Sequence, residues 1–273
     1  MTNSNVLRLI HAGALQQVME RCLDLFTKQN PDLKTEMNGV GSREGAKRLL
    51  SGEHYDVIAL ADQGLFAELL VPEMVENYFV FAADQIVIAY TGVSKGSKEI
   101  TPDNWINILL DPRVRFCHSD YHLDPCGYRA LMVWQLAEKF YDRSGLFLEL
   151  EGSCSPFGAY PKSFNLASDL IKGKLDYAFL YSSQAKQLEL PYISLPSKIN
   201  LSNPAYANYY DQAAVSVESK IPGNNIIIHG KPIEFAIGKS RNSQLSEPAQ
   251  AFIDLLTGPD GDLILEECGL IPC

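Results

Sequence analysis

Apolar positions along the chain recur with two different periods, and the switches between them divide it into alternating strands and helices. Residues 6–11 form a short apolar run that reads as a strand, and residues 14–28 place Leu15, Val18, Met19, Cys22 and Phe26 on one helical face. Residues 33–40 read as extended, 42–50 as a helix, 55–61 as a strongly apolar strand and 64–70 as the helix after it. The order βαβαβα predicts parallel strands with helices on the sheet faces and ligands at the carboxyl ends of the strands.

Two apolar runs, 78–83 and 85–91, are separated only by Asp84 and read as one long strand that carries the chain into a second lobe. There, 105–110 is helical, 114–117 a short strand, and 128–140 a long amphipathic helix built on Leu131, Val133, Trp134, Leu136 and Phe140. Glu149 and Glu151 alternate with leucines on what reads as a strand with a solvated face. A helix at 166–171 and a buried strand at 177–181 follow; 213–217 and 225–229 resemble an antiparallel pair. Residues 233–237 return the chain to the first lobe, where the helix at 249–256 stops before Gly258-Pro259. The expected division is 1–83 with 232–273 as lobe one and 84–231 as lobe two. Two connecting strands give a hinge suited to closing on a ligand.

Composition narrows the partners. With 46% apolar and 21% charged residues, the 273-residue chain has a globular balance. A net charge of −10 with scattered Lys and Arg argues against nucleic-acid partners. It leaves small anions open, since local amide dipoles decide their affinity. No window approaches the roughly 20 apolar residues of a membrane span. The N-terminus runs from Met1-Thr2-Asn3-Ser4-Asn5 straight into a strand, so the expectation is a protein of the periplasm or another extracytoplasmic space whose leader is absent from this chain, or a cytoplasmic protein. Six cysteines, Cys22, Cys117, Cys126, Cys154, Cys268 and Cys273, leave disulfide state and compartment open.

Three segments carry candidate chemistry. His11-Ala12-Gly13-Ala14-Leu15 is a small-residue turn whose backbone N–H groups, at Gly13 and Ala14, stand at a helix N-terminus where the dipole favours an anion. Gly39-Val40-Gly41-Ser42-Arg43-Glu44-Gly45 places Ser42 to cap the next helix and offer its hydroxyl. A dinucleotide reading of these glycines, helped by Asp62, fails on spacing, which is Gly-x-Gly-x-x-x-Gly after the second strand. Asp124-Pro125-Cys126-Gly127-Tyr128-Arg129 leads into the long second-lobe helix, with amides after Pro125 aimed at a common spot. Each also reads as an ordinary turn or helix start; their agreement across two lobes favours an anion site.

Other chemistries compete. Cys117, His118, His122 and Cys126 have a spacing able to hold zinc. Cys126 with His11 or His122 is a conceivable nucleophile–base pair.

Taken in order, His11-Ala12-Gly13, Asp124-Pro125-Cys126-Gly127-Tyr128-Arg129, Leu136-Ala137-Glu138, Leu175-Asp176-Tyr177, Leu195-Pro196 and Ile199-Asn200-Leu201 resemble the archaeal-type molybdate/tungstate-binding proteins of ABC importers. The resemblance implies a type II periplasmic-binding-protein fold, two α/β lobes joined by a two-strand hinge. It implies an oxyanion held in the interlobe cleft by the Gly13–Ala14 turn, Ser42, the Cys126 amide, Ser163 and Tyr181, with Asp124 reaching the metal centre. No catalysis and no cofactor are implied; the expected partner is a membrane permease, and the chain itself a monomer. Two positions depart from the family. Ala14 replaces a serine, and Ser163 stands where a second carboxylate is usual. Another anion or a metal ion is therefore an alternative ligand, with Arg43 or Arg129 supplying charge-assisted hydrogen bonds.

Overall fold

The computed structural model describes residues 5–155, 160, 163–219 and 223–273, so residues 1–4 of the N-terminal reading lie outside the described residues. The chain forms two compact units, Met1–Ala83 with Glu234–Cys273, and Asp84–Ile233. The first opens with β1 (Val6–Ala12), α1 (Gln16–Gln29), β2 (Lys34–Val40), α2 (Ser42–Leu50), β3 (Val57–Leu60) and β4 (Val75–Asp84). The second contains β5 (Ile86–Tyr90), α3 (Trp105–Leu109), β6 (Phe116–Cys117), α4 (Pro125–Phe140), α5 (Leu146–Ser153), α6 (Ser163–Ile171), β7 (Tyr177–Tyr181), α7 (Ser182–Gln187), β8 (Tyr192–Ser194), α8 (Ala207–Tyr210), β9 (Ala214–Glu218) and β10 (Asn225–His229). Then β11 (Ile233–Ser240), α9 (Ser246–Leu256), α10 (Pro259–Glu267) and β12 (Ile271–Pro272) complete the first.

The sheet of the first unit has the order β12-β4-β11-β3-β1-β2. As the alternating pattern predicts, β1 runs parallel to β2 and β3; β11 is antiparallel to β3. All four residues of β3 are buried, which fits a strand covered on both faces. On α1, Val18, Met19, Cys22, Leu23 and Phe26 are buried, and the Phe26 ring meets Phe252 of α9 edge-on at 5.5 Å. The helix expected at 64–70 forms over those residues, its first two in α-helical geometry and Phe66–Leu70 in a wider turn closed by the Val71 amide on the Phe66 carbonyl.

In the second unit the sheet order is β6-β7-β5-β8, with β6 parallel to β7 and β5 antiparallel to both its neighbours. The single long strand expected through Asp84 is two strands in two sheets. Its cause is local: the Asp84 carboxylate accepts the Gln85 amide at 2.7 Å and the Ser182 hydroxyl at 2.6 Å, so the side chain competes with ladder bonding and ends β4. The Glu149 and Glu151 segment is helix α5, not a strand. Leu146 and Leu150, one helical turn apart, are its buried residues; Leu148 points out, and Gly145 starts the turn with φ 85°. Helix α4 begins three residues earlier than expected and is enclosed rather than amphipathic, with buried residues on every face as far as Ala137. Trp134 and Phe116 pack edge-on at 6.0 Å, and Trp134 meets Phe179 of β7 at 5.4 Å. This aromatic cluster fixes the helix on the sheet. The antiparallel β9–β10 pair forms with Ile227 opposite Ser216.

Candidate functional site

In the first unit, the parallel strands β1, β2 and β3 lie side by side, and the segments that follow them carry the candidate groups of this unit. Register places Ala12, the last residue of β1, opposite Val40, the last of β2. After Ala12 the chain makes a tight turn at Gly13–Leu15, with Ala14 buried, and then enters α1. The first amides of such a turn have no intrahelical acceptor and face the end of the strands. After Val40, Gly41 is the N-cap of α2 and makes no side-chain cap bond; Ser42 is the first helical residue, not the cap expected of it. A glycine at that position satisfies the backbone geometry and frees the serine. The Ser42 side chain is buried, and its oxygen accepts the amide of Ala61 beyond β3 at 3.0 Å. With an amide on its lone pair, the hydroxyl keeps its own proton to donate. Arg43 follows, fully buried.

Nearby, His11 is buried with Nδ1 2.8 Å from the Ala12 carbonyl. Burial holds its pKa below the ordinary histidine value, so the ring is neutral and Nδ1 donates.

The second unit centres on Asp124. As N-cap of α4, its Oδ1 accepts the Cys126 amide at 3.1 Å, while Oδ2 accepts the amide of Ser163, the first residue of α6, at 2.9 Å. One carboxylate therefore joins two helix N-termini, where the dipoles favour negative charge. Burial pushes its pKa up, against the lowering effect of those amides. The structure thus places Asp124, Cys126 and Ser163 side by side, with the amide of Cys126 engaged by Asp124. Gly127 lets this happen: a Cβ there would lie 2.2 Å from the Ser119 carbonyl oxygen.

Tyr181, at the end of β7, is fully buried, and its hydroxyl accepts from Arg129 Nη1 at 2.6 Å. The Arg129 guanidinium also lies 5.7 Å from the Tyr181 ring centroid. Spacing gave no sign of this pair, 52 residues apart. Sequence reasoning also missed Asp84, although a lone carboxylate inside an apolar run is the mark of a buried acceptor. It missed Ser119 as well, whose buried hydroxyl lies in the loop packed on Gly127.

The competing chemistries lose their geometry. Among the described residues no three His, Cys, Asp or Glu side chains gather as a metal-binding group. His118 Nδ1 lies on the Ser119 carbonyl, His122 Nδ1 accepts the Glu218 amide, and the Cys126 thiol donates to the Phe179 carbonyl, so the four are not gathered into the zinc site that their spacing allows. The Cys126 thiol is pushed well up by burial, the opposite of an activated nucleophile.

Comparison with known proteins agrees with this architecture. A solute-binding protein of Petrotoga mobilis is 39% identical over 96% of this chain and 82% of its own length. The molybdate/tungstate-binding protein WtpA of Thermococcus kodakarensis is 31% identical over 95% of this chain and 80% of its own. Among solved structures, the periplasmic molybdate-binding protein of Azotobacter vinelandii superposes with a TM-score of 0.66 at 15% identity, covering 97% of this chain and 98% of that one. The fold is the two-lobed α/β fold of periplasmic binding proteins. The sequence pattern of bacterial extracellular solute-binding proteins matches residues 7–271, and this chain belongs to that family.

Proposed function

We propose that this chain captures a tetrahedral oxyanion of the molybdate/tungstate class outside the cytoplasm and passes it, as a monomer, to the permease of an ABC importer. The observation that carries the reading is Ser42: a buried hydroxyl at the N-terminus of α2, anchored through its oxygen by Ala61 and left with a proton to give. The Gly13 and Ala14 amides beside it donate to the same anion. Ala14 in place of a serine removes one hydroxyl and keeps the amide.

In the second lobe Asp124 faces the metal of the oxyanion. A bare carboxylate repels an anion, but the helix amides on Asp124 offset its charge, and it is the oxygen donor of this lobe for a metal centre. Molybdenum and tungsten accept such an extra oxygen ligand; sulfur in sulfate does not. Tyr181, polarised by Arg129, donates its proton to the anion, and Ser163 offers a hydroxyl where the family resemblance implies a carboxylate. The missing carboxylate makes the shell less negative.

The Ser42→Ala substitution tests this assignment. Loss of one hydrogen bond to a charged ligand is worth about 1.5–3 kcal/mol, so molybdate affinity falls roughly 10- to 100-fold. Titration calorimetry of both proteins measures it, and equal affinities would remove Ser42 from the shell.

A further inference from the structure

Outside the anion-binding groups, the second lobe holds two thiols that the proposed function does not use. Cys117 is the last residue of β6, and Cys154 is the residue that ends α5. Their sulfurs stand 3.7 Å apart, with Cys154 Sγ donating to Cys117 Sγ. A disulfide requires about 2.05 Å, so an approach of roughly 1.7 Å closes the bond. The backbone already holds the two ends together, since the Ser155 amide donates to the Phe116 carbonyl at 2.9 Å. Cys154 has left the helix in an extended conformation, with ψ 139°, and a side-chain rotation there disturbs no helical hydrogen bond.

Access is one-sided. Cys117 is buried, whereas Cys154 is partly open and lines a cavity of about 270 Å³ together with His118, Tyr121, Leu131, Glu151 and Ser155. We propose that Cys117 and Cys154 are a reversible dithiol/disulfide pair, oxidised through Cys154 by a small organic disulfide that enters this cavity. The hydrogen bond from Cys154 holds the Cys117 thiol below its usual range, so Cys117 is the first to ionise, losing its proton to solvent. As Cys154 sulfur attacks one sulfur of the small disulfide, its own proton passes to Cys117 and the first small thiolate departs, taking a proton from solvent. Cys117 then attacks Cys154 in the mixed disulfide, and its proton leaves with the second small thiol. The protein loses two hydrogens and two electrons, and the small disulfide is reduced to two thiols. The new bond pins the start of the loop that runs from β6 to Asp124 against the end of α5.

Oxidised glutathione on the reduced, full-length protein tests the pair. Intact mass spectrometry is expected to show loss of two hydrogens, with no glutathione retained except on the exposed Cys273 thiol. A tryptic digest should join peptide 116–129 to peptide 144–162, with Cys126 still open to alkylation. The Cys117→Ser protein should instead keep one glutathione on Cys154, and oxidised wild type should melt at a higher temperature than reduced. A wild-type protein that stays folded by circular dichroism, yet keeps glutathione on Cys154 or leaves both thiols fully alkylatable, overturns the proposal.

Discussion

The Gly127→Ala protein is expected to lose more than about 4 kcal/mol of stability, the range of the most damaging single substitutions. An alanine Cβ at this position would stand 2.2 Å from the Ser119 carbonyl oxygen, 2.8 Å from the Tyr121 amide nitrogen and 2.9 Å from the Ser119 carbonyl carbon. All three are backbone atoms, so no rotamer change relieves the clash. Either the loop carrying Ser119 lifts off α4 or the first turn of α4 moves, and both displace Asp124. At roughly 2–4 °C per kcal/mol for a chain of this size, thermal unfolding should begin at least about 8 °C lower. A melting temperature within two or three degrees of wild type, on the order of experimental scatter, would show that the loop and helix do not approach this closely.

Asp124→Ala is expected to cost about 2–4 kcal/mol, because it leaves the Cys126 and Ser163 amides buried without an acceptor and removes the charge shared by two helix N-termini. Asp124→Asn should fall between it and wild type: its amide oxygen replaces one acceptor, while its NH2 group faces the other N–H donor-to-donor. The pH dependence carries a sign. Burial raises the pKa of Asp124 in the folded state above its unfolded value. Over the window between those two values, which starts near the ordinary aspartate pKa of about 4, the folded state binds the proton that the unfolded state has released. Stability from this residue is therefore greatest at the acid end of the window and declines as pH rises through it. The advantage of wild type over Asp124→Asn in chemical denaturation should shrink over the same interval. An advantage that grows with pH would mean that the helix amides outweigh burial.

Much of this was legible in the chain. The apolar runs located β1 and β3, which are largely or wholly buried, whereas β2 at the sheet edge is half-exposed and read only as extended; the small-residue turns marked where β1 and β2 end. Asp124, Cys126 and Ser163 could be grouped only through the resemblance to a family. The bond that unites the first and last of them, a carboxylate spanning 39 positions to a helix amide, has no local pattern. The same limit hid Arg129 on Tyr181. Two errors came from period alone. Alternating leucines at 146, 148 and 150 imitate a strand, but the turn-spaced pair Leu146 and Leu150 decided the packing. The run through Asp84 looked continuous because a buried carboxylate satisfied by Ser182, Ser183 and Gln85 leaves no polar cluster in sequence to announce a break. Ser42 was placed one residue early because a serine before a helix is the commoner cap, whereas here Gly41 takes that role.

Titration calorimetry with molybdate, tungstate and sulfate on the ligand-stripped protein tests the central reading most directly. One molybdate or tungstate should bind per chain, at least about 100-fold more tightly than sulfate, a difference of roughly 2.7 kcal/mol. Sulfate bound as tightly as molybdate, or no heat from either metal oxyanion at millimolar concentration, would contradict it.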